Sequence, residues 1–176
     1  VAMKFDAMPT SCEVFTYGEV EEYTIRIGSG GPQGGCELVA SNNNDSGDGS
    51  LRQVIECASE GDTITFGAGM QNKTISLTSG PLMINKDLTI MAPSQNVSVS
   101  AVSVTRVFQV ADGVQFEIYG VDLIGGTTSS GSAVRNYGIL TLRDINIEQH
   151  EGQNGLMLIE NFGVMTLHGQ CQIMNP

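Results

Sequence analysis

The chain has 176 residues and a net charge of −11, from 19 acidic and 8 basic side chains. Nucleic-acid backbones are bound by clustered Lys and Arg, so this charge excludes nucleic acid from the expected partners. No run of about 18 apolar residues occurs, which excludes a membrane-spanning helix. The 22 glycines, together with frequent Asn, Ser and Thr, favour many short strands joined by tight turns.

The first 27 residues differ in pattern from the rest of the chain. Alternating Tyr23, Ile25 and Ile27 predict a strand. The stretch before it reads Tyr17-Gly18-Glu19-Val20-Glu21-Glu22-Tyr23. It closely resembles the signature of the GEVED domain, a small β-sandwich module of secreted bacterial proteins, many of them from Bacteroidetes; Glu22 stands where the family has Asp. The resemblance implies the last strands of such a sandwich, and an ordinary acidic hairpin is the alternative.

A Gly-rich segment, residues 28–35, predicts a flexible linker and a domain boundary. Beyond it, Ser50 and Gln53 fit a capping box that starts a short helix over about residues 50–59. A strand follows at residues 61–66. This order, with the polar turn at residues 42–49, resembles the opening of right-handed parallel β-helix domains in bacterial surface and secreted proteins. The resemblance implies that the helix covers the first rung of a solenoid.

The polar turn also supplies oxygen ligands of the kind that Ca²⁺ binds, namely those of Asn42, Asn44, Asp45 and Asp48. The spacing does not fit an EF-hand, because the sixth position counted from Asp45 is Ser50 rather than Gly. The turn is therefore expected to bond its own backbone, with calcium as the alternative. No other cofactor is expected.

Residues 136–143 are nearly repeated at residues 161–168, an offset of 161 − 136 = 25. A repeat of this length predicts a stacked solenoid. Short alternating runs between Thr63 and Ile173 predict four to five rungs of about 25 residues. The predicted fold is all-β: a right-handed parallel β-helix over residues 36–176 with an N-terminal capping helix, preceded by a β-sandwich remnant at residues 1–27.

Alignment of the rungs predicts side-chain columns along the stack. A column of outward residues consists of Thr89, Glu117, Thr141 and Thr166. A polar column consists of Asp122, Asn146 and Gln172, and a mixed column consists of Met91, Tyr119, Arg143 and His168. An asparagine ladder is expected at Asn136 and Asn161.

The candidate binding residues are Glu117, Asp122, Arg143 and His168, because polysaccharide-acting β-helix enzymes group acids with Arg, Lys or His on one strand face. Acid–base catalysis requires two such groups converging on one substrate atom. Lyase chemistry also requires a cation against the uronate carboxylate, and Arg143 and His168 are placed one rung apart. No catalytic residue is assigned, and scattered solvated side chains are the alternative.

The four cysteines, Cys12, Cys36, Cys57 and Cys171, lack zinc-site spacing and allow three pairings. Cys36 with Cys57 is the pairing expected first, since both flank one short segment, although free core thiols are an alternative.

These observations favour a non-catalytic module of a secreted or cell-surface protein, an adhesive and glycan-contacting scaffold excised from a longer precursor. The first alternative is a filament subunit that adds strands through open ends, with other copies or other precursor domains as partners. The second is a polysaccharide lyase or hydrolase.

Overall fold

The computed structural model describes residues 36–101, 104, 106–127, 130–149 and 157–174. The chain divides into two units, Val1–Gly35 and Cys36–Pro176, and the description concerns the second. The predictions of a GEVED-like segment at residues 1–27 and of a linker at residues 28–35 therefore lie outside the described residues, as does Cys12.

One α-helix, one 3₁₀ turn at Ala68–Met70 and fifteen short strands make up the described chain. The helix α1 is Leu51–Cys57. The strands are β1 Val39–Ala40, β2 Asp62–Phe66, β3 Thr74–Ser76, β4 Leu82–Ile84, β5 Leu88–Met91, β6 Val97–Ser100, β7 Phe108–Val110, β8 Gln115–Tyr119, β9 Val121–Ile124, β10 Ser130–Asn136, β11 Ile139–Arg143, β12 Asn146–Glu148, β13 Met157–Asn161, β14 Val164–His168 and β15 Gln172–Met174.

All strand pairs are parallel, and the strands form three sheets; from β2 onward, strands that are consecutive in the chain belong to different sheets. The orders are β1-β2-β5-β8-β11-β14, β13-β10-β7-β4 and β15-β12-β9-β6-β3. Each rung therefore contributes one strand to each sheet before the chain climbs to the next rung. This is a parallel β-helix of five rungs, which confirms the predicted fold class and the predicted number of rungs.

The core consists of inward columns that repeat from rung to rung. Ile64, Ile90, Ile118 and Leu142 lie in register and are fully buried. Because successive strand residues point to opposite faces, the residues between them point outward. Each buried Ile or Leu contributes about 2 kcal/mol, so one continuous core stabilises the stack along its axis.

The corner between the six-stranded and the five-stranded sheets has one left-handed residue in every rung. These residues recur 24 or 25 positions apart and have φ of 56°, 49°, 67°, 46° and 66°: Asn72, Asn96, Gly120, Asp144 and Gly169. Asn, Asp and Gly tolerate this backbone region better than other residues. The turn at this residue changes the direction of the chain, which passes from one sheet to the next.

The predicted asparagine ladder occupies the corner that precedes the six-stranded sheet. Asn136 is fully buried, and its Nδ2 donates to Asn161 Oδ1 (2.7 Å), Val164 O (3.0 Å) and Gly138 O (3.1 Å). Backbones approach closely here, since a Cβ on Gly163 would overlap the Gly138 carbonyl oxygen. The amide thus satisfies backbone groups of two rungs, as the repeat predicted.

Helix α1 covers the first rung. Ser50 Oγ accepts a hydrogen bond from the Gln53 N–H (3.2 Å), which confirms the predicted N-cap. The helix is shorter than the predicted 50–59 because Ala58 adopts an extended backbone. The predicted disulfide between Cys36 and Cys57 is present, which fastens the last helical residue to the chain before β1. Cys171 is a free, half-buried thiol.

Candidate ligand-binding face

The outward face of the six-stranded sheet is a grid of three side-chain columns. Its central column runs through Thr63, Thr89, Glu117, Thr141 and Thr166. The four predicted members are confirmed in register, and Thr63 extends the column by one rung. Hydroxyl groups on a rigid parallel sheet are held at nearly constant spacing, about 4.8 Å from rung to rung.

The second column of this face is Met91, Tyr119, Arg143 and His168, also as predicted. Arg143 Nη2 lies 3.2 Å from Glu117 Oε1, and its guanidinium carbon lies 5.6 Å from the centre of the Tyr119 ring. The Arg143 side chain is about half exposed, so its ion pair with Glu117 contributes little to stability. The contact instead fixes where the guanidinium and the carboxylate point.

A third column lies at the start of the strands and was not predicted. It holds Gln115, Ile139 and Val164 in register, together with Asp87, which immediately precedes β5 and lies beside Gln115. Asp87 Oδ1 accepts a hydrogen bond from the Gln115 N–H (2.7 Å). These residues stand immediately before a strand or at its first position. In the sequence, a residue at such a position is easily taken for part of the preceding turn.

A shallow depression of about 240 Å³ lies between this third column and the threonine column. It is lined by Gly61, Asp87, Leu88, Thr89, Gln115, Phe116, Glu117, Ile139 and Thr141. Gly61 has no side chain and threonines are short, so the face is hollow where those residues meet. Hydroxyl, amide and carboxylate groups therefore line one open recess on a flat sheet.

An exposed aromatic pair lies at the corner beside the third column. The rings of Tyr137 and Phe162 are stacked, with centroids 5.1 Å apart and planes 9° from parallel. Tyr137 is 38% exposed and Phe162 is 62% exposed. The sequence repeat aligned these two residues but gave no reason to expect their exposure.

Asp122 lies elsewhere. It belongs to β9 of the five-stranded sheet, where its Oδ1 accepts a hydrogen bond from the Asn146 N–H (3.1 Å). The predicted column of Asp122, Asn146 and Gln172 is in register, with Asn146 opposite Gln172. Of the four candidate residues, Glu117, Arg143 and His168 thus share one face, and Asp122 is on another sheet.

The polar turn considered for calcium is a structural clamp. Asp45 Oδ1 accepts from Arg52 Nη2 (2.7 Å), and Asp45 Oδ2 accepts from the Thr78 N–H, the Thr78 hydroxyl and the Ser79 N–H (3.1, 3.0 and 2.7 Å). Burial by itself raises the pKa of Asp45. The hydrogen bonds from Ser79, Arg52 and Thr78 outweigh burial and hold the pKa well below its usual range.

The Asn42 side chain bonds backbone groups of the same turn. Asn42 Oδ1 accepts from the Asn44 N–H (3.1 Å), and Asn42 Nδ2 donates to the Asp48 backbone carbonyl (2.8 Å). In the part of the chain that the structure describes, no three His, Cys, Asp or Glu side chains group as a metal site would require. The sequence reasoning missed Arg52, which also donates to the carbonyls of Gly80 and Pro81 (2.7 and 3.0 Å).

A second recess, of about 310 Å³, lies between α1 and β4. Its basic groups already have partners: Arg52 belongs to the clamp, and Lys86 Nζ donates to the carbonyls of Glu56 and Ala58 (3.0 and 2.5 Å). We therefore assign the candidate site to the sheet face, where Thr89, Thr141 and Glu117 line an open recess.

Comparison of the chain with known protein families, with curated proteins and with solved structures finds no match. Among the described residues, no helix has the length and apolar character needed to cross a bilayer.

Proposed function

We propose that this protein is a non-catalytic scaffold of a secreted or cell-surface protein, and that the outward face of its six-stranded sheet contacts glycans. The observation that carries the proposal is the recess between Asp87, Gln115 and Ile139 on one side and Thr89, Glu117 and Thr141 on the other. Ligand sites combine a concave shape with a few fixed polar groups, and this recess has both.

The rigidity of the sheet supports this proposal. Thr89, Glu117 and Thr141 lie on β5, β8 and β11, which are adjacent in the six-stranded sheet and are each paired with a strand on both sides. Side chains that are already held in place lose little conformational entropy when a ligand binds. This favours affinity for a ligand that makes several weak hydrogen bonds. A repeating polysaccharide matches a face whose polar side chains repeat from rung to rung.

The proposed location rests on the Cys36–Cys57 disulfide, because disulfides persist in oxidising compartments. The proposed location also agrees with the GEVED-like signature at residues 17–23, since that module belongs to secreted bacterial proteins. An origin in Bacteroidetes stays a prediction.

Affinity electrophoresis through gels that contain soluble polysaccharides tests the proposal. We expect at least one polysaccharide to retard the wild-type chain, and the paired change Thr89→Val with Thr141→Val to reduce the retardation by tenfold or more. Valine keeps the shape and removes the hydroxyl groups. Met83→Ala is the control, since Met83 is exposed on the four-stranded sheet. Absence of retardation by every polysaccharide would contradict the proposal.

The enzyme alternative is tested on the same material. Arg143 and Glu117 are in contact and His168 is in register with Arg143, which is the grouping that a polysaccharide-acting β-helix uses. Release of reducing or unsaturated sugar ends, lost in Arg143→Gln, would favour the enzyme over the scaffold.

A second candidate function is assembly through the last described rung, formed by β13, β14 and β15. Leu167 and Ile173 are 47% and 48% exposed, whereas Leu142 and Ile147, their partners one rung earlier, are fully buried. At the other end α1 covers the stack. Strands β13, β14 and β15 are also the outermost described strands of their sheets, and the backbone groups of an outermost strand can pair with another strand. We propose that a second copy packs there.

Sedimentation at several concentrations tests this association. We expect wild-type chains to associate, and the double variant Leu167→Glu with Ile173→Glu to remain monomeric because buried charges are costly at an interface. Met83→Glu, which places a charge on an exposed apolar site away from the last rung, is the matched control. A monomeric wild type at all concentrations would contradict the assembly candidate.

A further inference from the structure

The candidate face changes character along the stack. Its third column is polar in the early rungs, with Asp87 and Gln115, and apolar in the later rungs, with Ile139 and Val164. Ile139 and Val164 are exposed, and the stacked pair of Tyr137 and Phe162 precedes them at the same corner. These four side chains form an exposed apolar strip on the side wall of the solenoid, which we call the aromatic strip.

Exposed apolar surface on a folded chain marks a contact site when it is contiguous and bordered by polar groups. In the aromatic strip the two rings stack on each other, and Ile139 lies opposite Val164 on the neighbouring strand. Ile139 is also a wall of the recess that contains Thr89 and Glu117, so polar groups border the strip. The occupant must therefore have an apolar face and polar edges. A pyranose ring has this form: its C–H groups present an apolar face and its hydroxyls lie at the rim.

Charge narrows the class of glycan. None of the nine residues that line the recess is Lys, Arg or His, and two of them, Asp87 and Glu117, are acidic. A uronate or sulfate group placed there would face the Asp87 carboxylate, and the lining offers it no cation, since Arg143 lies outside the lining and is in contact with Glu117. The net charge of −11 adds a long-range repulsion.

We infer that the ligand is a glycan without acidic groups, whose ring faces stack on the aromatic strip and whose hydroxyls bond the recess. This inference rests on the proposed glycan-contacting function and specifies its ligand class. A carboxylate oxygen of Asp87 or Glu117 accepts hydrogen bonds from sugar hydroxyls, and charged acceptors make such bonds stronger. The two carboxylates thus select for hydroxyl donors and against anions.

Titration calorimetry with hexasaccharides tests the inference. The neutral probes are hexamers of glucose, mannose and N-acetylglucosamine. The charged probe is hexagalacturonate, and its methyl ester is the uncharged form of the same backbone. We expect a neutral hexamer to bind, and the methyl ester to bind at least tenfold more tightly than the free acid. Asp87→Asn is expected to narrow that difference.

Variants of the aromatic strip separate binding from folding. Phe162→Ala and Tyr137→Ala are expected to weaken binding of the neutral hexamer by tenfold or more, whereas Tyr137→Phe, which keeps the ring, retains it. Met83→Ala is the control for loss of an exposed apolar side chain. Thermal unfolding of each variant shows whether it is folded. The paired Thr89→Val and Thr141→Val variant provides a second measurement if an aromatic variant is unfolded.

The outcomes distinguish this inference from the proposed function. Binding of hexagalacturonate in preference to its ester, lost in Thr89→Val with Thr141→Val, would overturn the inference and leave glycan contact standing. Neutral binding that is unchanged in folded Phe162→Ala and Tyr137→Ala would also overturn it. Binding of no hexamer and no polysaccharide would overturn both.

Discussion

The side chain of Asp45 shows how one carboxylate joins two parts of the stack. It accepts four hydrogen bonds, three of which come from Thr78 and Ser79 more than thirty residues away. Both Asp45 and Arg52 are largely buried. Removal of one member of a buried pair costs more than the pair itself contributes, because the other charge stays desolvated. The polar turn is thereby fastened to the loop that precedes β4.

We expect Asp45→Asn to reduce the free energy of unfolding at pH 7 by about 3 kcal/mol, the cost of breaking a buried pair. The pKa of Asp45 is lower in the folded than in the unfolded state. Its stabilisation is therefore complete above the unfolded pKa, about 3.9, and is lost as pH falls from there toward the folded pKa. Urea unfolding at pH 7 and pH 2.5 should show the difference between wild type and variant narrowing at the lower pH.

The control for this prediction lies in the same turn. Asp48 is exposed, and its backbone carbonyl rather than its carboxylate accepts from Asn42. Asp48→Asn should change the unfolding free energy by less than about 0.5 kcal/mol. Equal effects of the two changes would mean that net charge, rather than the clamp, determines the stability of the turn.

At the scale of elements, α1 depends on the rest of the fold for its stability. It has seven residues, fewer than an isolated helix needs in water. It is held instead by its buried face of Leu51, Val54 and Ile55, by the Asp45–Arg52 clamp and by the Cys36–Cys57 disulfide. The first rung is covered because several restraints act together on one short helix.

Replacement of both Cys36 and Cys57 by Ser should lower the free energy of unfolding by about 3 kcal/mol, since the disulfide closes a loop of 21 residues. The rungs should persist, because their strand pairs do not involve the cap. Urea unfolding gives the free energy, and far-ultraviolet circular dichroism reports the strands. Cys171→Ser is the control. Loss of strand signal at zero urea in the double variant would show that the cap is required for the whole stack.

The repeat at residues 136–143 and 161–168 determined the strand register, so the columns through Glu117, Arg143 and His168 were predictable. The N-cap at Ser50 was predictable for the same reason, since capping is local. The Asp45–Arg52 clamp was not, because its other partners at Thr78 and Ser79 are distant in sequence.

The recess was also not predictable, since it forms where a glycine and short side chains lie next to each other on the sheet. Gly61 and Thr89 create space only once they lie in adjacent columns. Exposure of Phe162 likewise depends on which corner the repeat occupies in three dimensions. Periodicity gives the side of a strand on which a residue lies, whereas concavity depends on its neighbours across the sheet.

At the scale of the whole molecule, the β-helix is a one-dimensional stack whose stability depends on nearest-neighbour contacts. Inner rungs have a buried neighbour on each side, whereas the last described rung has Leu167 and Ile173 half exposed. Local opening should therefore begin at that rung and move inward. The rung that contains β8 should be the last to open.

Amide hydrogen exchange at low protein concentration measures this gradient. We expect the amides of β8 to exchange at least tenfold more slowly than those of β14 and β15. Protection of β14 and β15 should rise with protein concentration if a second copy packs on the last rung. Uniform protection across all five rungs at low concentration would show that the stack opens as one cooperative unit.

The most direct test of the central claim is a chemical-shift map of the folded chain with the glycan that is retarded most strongly in electrophoresis. The account predicts the largest shifts at Thr89, Ile139 and Thr141, with none on α1 or β4. Shifts confined to the recess between α1 and β4, or no shifts at any glycan concentration, would contradict a ligand-binding role for the outward face of the six-stranded sheet.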